Sequence, residues 1–505
     1  MGTRARVLAS TLILLVAAST PAQTGGTYVV ATTGSDITGD GSPGSPWATI
    51  GHAVGEVPDD SLILVEPGTY HGRVRLDSAF AQGITVRSAE PFQARLRHTG
   101  TVVTCYYGQG IALEGFDIAH TGPGAGALVI QIQDLIGAPG GDDRVGRIVI
   151  RGNVLHDSYN NDILKINNGA EHVLVEGNVF YNQEGSDEHI DINSVSDVIV
   201  QDNVFFNDFA GSGRTNGNDT SSFIVVKDSN GASDGILGAE RITVRRNVFL
   251  NWEGSTGSNF VLLGEDGNSY HEADEVVVEN NLMLGNSGNP MRAPFGVKGC
   301  RDVVFRANSV IGDLPSYAFA MRLNTEGSNQ PNDEIAFFNN VWSDPTGTMG
   351  AYGGGANDFS DTPPGQTLGW ELDRNLYFNG GAAIPDDPSE LINPTDDLNR
   401  VVDDPGLPGH AGLVLPRWVP ASGLFADGST TTDQVKRRLV HLYAMPDGDS
   451  PLVDAADPTS APDEDILGQP RTGGVGPDLG CFETGVGLIF ADGFESGDAQ
   501  QWDFH

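Results

Sequence analysis

Residues 148–158 read IVIRGNVLHDS, and residues 173–183 read VLVEGNVFYNQ. In both, apolar and polar residues alternate, and an Asn stands five places after the start. The pattern returns as VIVQDNVFFND from Val198, ITVRRNVFLNW from Ile242, VVVENNLMLGN from Val276, VVFRANSVIGD from Val303 and IAFFNNVWSD from Ile335. The aligned residues are Asn153, Asn178, Asn203, Asn247, Asn281, Asn308 and Asn340, at intervals of 25, 25, 44, 34, 27 and 32. Weaker copies begin at Ile84 and Ile111. A unit this short cannot bury a core alone, but stacked units can. Alternation at period two makes each unit a strand, with every second residue turned inward. The expectation is a parallel β-solenoid in which length differences go into outer loops. Asn at a fixed corner suits a left-handed backbone and can hydrogen-bond the Asn of the next coil. The longest early insertion contains DFAGSGRTNGNDTSS from Asp208.

Two coils then deserve comparison. DILKIN covers residues 162–167 and EHIDIN covers 188–193. Setting Asn167 under Asn193 puts Asp162 under Glu188 and Lys165 under Asp191. Leu164 and Ile166 then stack on Ile190 and Ile192 inside. Strict alternation turns Lys165, His189, Asp191 and Asn193 outward on one face. Asp187, Glu188 and Asp191 crowd one short stretch, where they repel each other unless a cation lies between them. Ca²⁺, which takes six to eight oxygen ligands, is the natural candidate. Later coils add Lys227, Glu265, Asp266, Lys298 and Arg322. A structural alternative is a solvated face of cross-strand ion pairs, each worth only ~0.2–1 kcal/mol when exposed.

The chain of 505 residues carries a net charge of −39, which argues against nucleic-acid binding because a phosphate backbone would be repelled. An acidic polysaccharide is repelled too, unless a metal or a local basic cluster offsets the field. Arg4 and Arg6 precede an apolar run at 7–18, and Thr20-Pro21-Ala22 follows. This reads as a signal peptide over 1–22, with the mature chain starting near Gln23, and the run is too short to span a bilayer. Cys105, Cys300 and Cys481 are widely spaced and allow one internal disulfide at most. They form no zinc motif. Residues 357–483, rich in Pro, Gly and Asp at their start, read as a C-terminal cap or subdomain. Its helical stretch TTTDQVKRRLVHLYAM should bury Val435, Leu439 and Leu442. Residues 23–356 then form the solenoid with its N-terminal cap.

The repeats resemble those of right-handed parallel β-helix proteins, the pectate-lyase-like superfamily, over roughly residues 27–483. YVVATTGSDITGDGSPGSPWATIGHAV with VEPGTYHG is similar to the N-terminal cap of that group, and SPLVDAAD with DILGQPRTGGVGPDLGCFE to its C-terminal end. The tail at 484–505, with IFADGFESGDAQQWDFH, resembles a sorting or anchoring tag of exported Gram-negative proteins. The nearest resemblance is to family 9 polysaccharide lyases. It implies an all-β fold and a secreted enzyme that cleaves an acidic, uronate-containing polysaccharide by Ca²⁺-dependent β-elimination. By that resemblance Asp162, Asp187, Glu188 and Asp191 would hold Ca²⁺, with Glu188 standing where the family has Asp. Lys227 would be the base, although it lies in IVVKDSN rather than the family's Gly-Phe-Lys context. Arg322 joins Lys227 as a catalytic candidate, and Lys165, His189, Asn193 and Lys298 are candidates for substrate binding. A monomer is expected. Two alternatives stand beside the lyase. One is a carbohydrate-binding or surface β-helix without turnover. The other is a glycoside hydrolase using Asp187, Glu188 and Asp191. The Gly-His-Gly and Arg-Ile-Lys motifs of β-helix polygalacturonases do not occur.

Overall fold

The computed structural model describes residues 25–485, apart from 136–144, 186, 218, 232–234, 256–258, 286–287, 289–290, 313–319, 350, 353–355 and 358. The expected signal peptide and nearly all of the tail lie outside the described residues. Within them the repeats wind into a parallel β-helix with three long sheets of twelve, eleven and ten strands. Every repeat gives one strand to the twelve-stranded sheet and one to the eleven-stranded sheet. Glu171–Glu176, for example, pairs in parallel with Gly146–Arg151 on one side and Ser196–Gln201 on the other. Alternate residues Ile148, Val173, Val198, Ile242, Val276, Val303 and Ile335 form one continuous inward column with at most 1% exposure. Phe180, Phe205 and Phe249 stack beside them with ring centroids 4.9 Å apart. At the N-terminal end, Trp47, Ile50, Ala53 and Val54 close the core, the last three from helix Ile50–Glu56. The Thr49 side chain caps that helix by accepting from His52 N–H.

The Asn ladder forms as expected. Each Asn Oδ1 accepts from the backbone N–H of the preceding ladder Asn, as in Asn153 to Asn178 and Asn178 to Asn203, both at 2.9 Å. Each Nδ2 satisfies a carbonyl of an earlier coil, such as Val175 O from Asn203. The left-handed backbone belongs to the residue before the Asn, however: Asp202, Arg246, Asn280, Ala307 and Asn339 have φ between 51° and 60°. The ladder Asn is therefore chosen for its buried amide, and the corner strain falls on its neighbour. The ladder also runs one rung further than the sequence copies suggest. Asn340 N–H donates to Asn375 Oδ1, and Asp397 accepts from Asn375. Strands Trp370–Asp373 and Leu376–Asn379 continue two of the sheets, so the solenoid passes residue 356, where a boundary was expected.

The C-terminal part lies on the outer face of the eleven-stranded sheet. Val154, Val179, Val204, Phe206, Val248 and Leu250 pack there against Trp418, Phe425, Val435, Leu439 and Val440. Leu442, expected on the buried side of helix Thr432–Tyr443, is 47% exposed, and Lys436 and Val440 are buried instead. Lys436 Nζ reaches Asp202 Oδ1 at 2.5 Å and the Ile466 carbonyl at 2.6 Å. Arg246 joins Asp202 to Glu464. With that face covered, the ten-stranded sheet is the one that displays the acidic coils. Cys105, Cys300 and Cys481 are buried and unpaired, and burial pushes all three thiols up. No described helix is long and apolar enough to cross a membrane.

Candidate functional site

Strands Leu164–Asn167, Glu188–Asn193 and Ser222–Lys227 are neighbours in the ten-stranded sheet. The first two pair with Lys165 opposite Asp191 and Asn167 opposite Asn193, the register read from the sequence. Asp162 accordingly sits beside Glu188, whose N–H donates to Asp162 Oδ1 at 3.1 Å. Asp162, Glu188 and Asp191 are all buried, and one carboxylate oxygen from each lies within 4.8 Å of the others. Ser221 Oγ holds Glu188 Oε1 at 3.2 Å.

Two lysines are the counterions. Lys165 Nζ is 2.5 Å from Asp191 Oδ2 and 4.0 Å from Asp162 Oδ2. Lys227 Nζ is 3.7 Å from Asp191 Oδ2 and 2.5 Å from Glu265 Oε2. Lys227 does not stack on Asp191 itself: it pairs with Asn193, and Val225 stands opposite Asp191. Its long side chain crosses one rung to reach the acid. Glu265 and Asp266 are presented by a turn whose N–H groups both donate to the buried Glu272.

The electrostatics follow from crowding in a buried place. Burial, then the nearby Asp191, raises the Asp162 carboxyl to about 7. Burial and the Asp162 charge push Glu188 well above the usual carboxylate range. Burial alone would favour neutral lysines. Asp191 and Asp162 outweigh it at Lys165, and Asp191, Glu188 and Glu265 outweigh it at Lys227, so both ammonium groups are held above lysine's ordinary value.

The donor set suits a hard cation. Oxygens up to 4.8 Å apart can share a sphere of radius ~2.3–2.6 Å. Asp191 Oδ1 is buried and finds no hydrogen-bond partner among the described residues, an expensive arrangement unless a ligand completes it. Lys165 is the group such a cation would displace.

Several sequence candidates stand elsewhere. His189 points inward, not outward. It is fully buried, its ring centroid lies 4.8 Å from that of Phe223, and its Nε2 meets Asn207 Oδ1 at 3.1 Å. At the head of each of these strands two consecutive residues are buried, Ile163-Leu164, His189-Ile190 and Phe223-Ile224, so alternation starts one place late. Burial drops the His189 imidazole to about 3, which keeps it neutral. Asn193 is buried and bound to Ser229, so it fixes the turn after Lys227 rather than facing a groove. Asp187 is half-buried and falls outside the three-carboxylate cluster. Arg322 shares the Asp191 column but lies four strand steps away, ~19 Å, bound to Asp361 at 2.7 Å. It cannot act on the same reacting atoms as Lys227. Lys298 pairs with Glu326. Sequence reasoning missed Ser221 and the polar rungs before Lys165, where Tyr106 Oη donates to Gln131 Oε1 at 2.7 Å. The aromatic pair in CYYGQG was their one signal.

No family model matches the chain, and no curated protein matches it. Its structure is similar to that of pectate lyase Pel9A, with a TM-score of 0.51 and 14% identity over 92% of this chain and 97% of that one. Two more distant likenesses are the GH136 lacto-N-biosidase from Eubacterium ramulus (TM-score 0.44, 10% identity, 70% and 68% covered) and the PL6 family alginate lyase AlyGC (0.38, 14%, 82% and 58%). Identity this low speaks for the fold. Three parallel sheets, an unbroken Asn ladder and a match along nearly the whole of both chains make this protein a parallel β-helix.

Proposed function

We propose that this protein is a secreted polysaccharide lyase that cleaves a uronate-containing chain by β-elimination, with Ca²⁺ held by Asp162, Glu188 and Asp191. The observation that carries the reading is one juxtaposition: three buried carboxylates, of which Asp191 Oδ1 has no hydrogen-bond partner among the described residues, with the Lys227 ammonium 3.7 Å from Asp191. Bound there, Ca²⁺ would offset the charge of a uronate carboxylate and make the proton on the adjacent carbon more acidic. Lys227 is the base. Its amine takes the C5 proton, the freed electron pair forms the C4–C5 double bond, and the C4–O bond breaks. The departing oxygen takes a proton from solvent water and leaves as a hydroxyl. While the acids are unshared they keep Lys227 an ammonium, so base strength appears only when their charge is engaged elsewhere. Ser221 orients Glu188, Lys165 holds Asp191 until a cation displaces it, and the buried Glu272 fixes the Glu265 turn beside Lys227. In this reading residues 1–22 direct export, the tail at 484–505 sorts or anchors the protein, and the enzyme acts as a monomer.

The test is ultraviolet absorbance of the unsaturated product on pectate, alginate and glycosaminoglycans, with Ca²⁺ and with EDTA. Lys227→Ala should lower elimination by ~10²–10⁴-fold while leaving calorimetric Ca²⁺ binding intact. Absence of any product from wild type on the whole panel would overturn the lyase reading. One observation favours a second reading: a carboxyl raised to about 7 at Asp162, beside Glu188, is what a glycosidase acid requires. Release of reducing ends without ultraviolet absorbance would select it.

A further inference from the structure

The Lys165–Asp191 column continues toward the N-terminus of the solenoid. Lys165 pairs with Gln131, Gln131 with Thr104, and Thr104 with Arg75. Arg75 therefore stands four strand steps from Asp191, ~19 Å along the solenoid axis. Thr104 is buried, so the surface of this arm is made by its neighbours. Tyr106 Oη and Gln131 are joined, and Gln131 Nε2 donates to Gln133 Oε1 at 2.6 Å. Tyr107 is 43% exposed and next in sequence. Arg73 and Arg75 are exposed, feel the Tyr106 hydroxyl electrostatically, and form no ion pair with any described residue. Asp77 is the acid nearby, and its Oδ1 is engaged by Tyr106 N–H at 3.0 Å.

The opposite direction from the cluster differs. There Val225 and Leu262 follow Asp191 with almost no exposure, and the cations Lys298 and Arg322 are already neutralised by Glu326 and Asp361. Among the described residues the sheet thus has one arm with unpaired basic groups and hydrogen-bonding rungs, and one without.

We infer that the face from Lys165 to Arg73 and Arg75 is a polysaccharide-binding arm whose far end takes a second carboxylate of the same chain. The inference rests on the cluster being a uronate site and adds the register of the polymer. An extended chain of pyranoses advances by about one sugar per coil, so a sugar at Asp191 puts the anion-binding end about four sugars away. Amide and phenol groups of Gln131, Gln133 and Tyr106 suit the hydroxyls between, and the exposed Tyr107 ring offers an apolar face to a sugar. Guanidinium groups suit a carboxylate at the end. The ligand is a chain of at least about five sugars with acid groups near both ends of that span.

The test is calorimetric binding to the full chain of galacturonate and mannuronate oligomers three and six residues long, and of the carboxyl-reduced hexamers. Each is measured in Ca²⁺ with the Lys227→Ala protein, so that nothing is cleaved. Adding Arg73→Gln and Arg75→Gln together should weaken a hexauronate by about tenfold and leave the trimer and the reduced hexamer unchanged. Tyr107→Ala should weaken acidic and reduced hexamers alike. Unchanged hexauronate affinity in the double variant overturns the arm, as does equal loss for trimer and hexamer, or no hexauronate binding at all. Arginine-dependent hexamer binding together with an absence of elimination by wild type would sustain the arm and sink the lyase reading alone.

Discussion

Lys165→Met separates a cation site from a structural ion pair. In the cation-free protein Lys165 lies 2.5 Å from Asp191 and 4.0 Å from Asp162, among carboxylates that are nearly inaccessible to water. Removing one partner of a buried pair costs ~3–5 kcal/mol. The Lys165 side chain keeps 21% exposure, and Lys227 remains 3.7 Å from Asp191 as a second counterion. We therefore expect a loss of about 2 kcal/mol, below that range. In Ca²⁺ most of that loss should be recovered. A cation entering the wild-type cluster must push an ammonium aside, and two unit charges 4 Å apart interact by ~4 kcal/mol at an effective dielectric of 20. Screening and side-chain relaxation reduce this, so we expect about tenfold tighter Ca²⁺ binding by the variant, equivalent to ~1.4 kcal/mol. The assay is urea unfolding in EDTA and in saturating Ca²⁺, with calorimetric titration of both proteins. A variant that loses the same stability in both buffers, with no Ca²⁺ uptake by either protein, would refute the cation-site reasoning and leave Lys165–Asp191 as a structural pair.

The Asp162 carboxyl, raised to about 7 against ~3.9 in the unfolded chain, ties stability to pH. The folded protein holds that proton more tightly, so its contribution is fully present below about pH 4 and is lost as pH rises through 7. Cation-free stability should fall over that window while Ca²⁺ affinity rises. Urea midpoints at pH 5 and pH 8 with and without EDTA check this, and a Ca²⁺-induced shift no larger at pH 8 would contradict it. Asn203→Ala removes an acceptor for Asn178 N–H and a donor to the Val175 carbonyl, both buried. Two orphaned backbone groups at ~1–3 kcal/mol each predict a loss of about 3 kcal/mol in urea unfolding. Lys436→Met should loosen the C-terminal region from Asp202, making the chain beyond residue 400 cleave first in limited proteolysis.

The repeat made the solenoid legible because parallel stacking turns sequence period directly into spatial register. The same logic sets Lys165 against Asp191 and Asp162 beside Glu188 from the sequence alone, since residues at equal offsets from a stacked Asn must be neighbours. Asn375 escaped notice because its coil, WELDRNLYFNG, follows an irregular stretch and lacks the β-branched start of the others. What alternation could not give was the bend at the head of each strand. Two successive inward residues there carry His189 into the phenylalanine stack, and one extra inward position moves a side chain from groove to core. Distance across coils was equally hidden. Lys227 reaches Asp191 only by leaning over a rung, and Arg322, in the right column, is held four strands away by coil rise. The pairing of the C-terminal helix with one sheet also depended on tertiary contact, because Lys436 is buried by Asp202 and a carbonyl that no local pattern announces. Sequence specified the coil and its register because those are properties of one repeat and its neighbour. Which side chains meet in the site was settled by corner geometry and side-chain reach, which depend on all the coils at once.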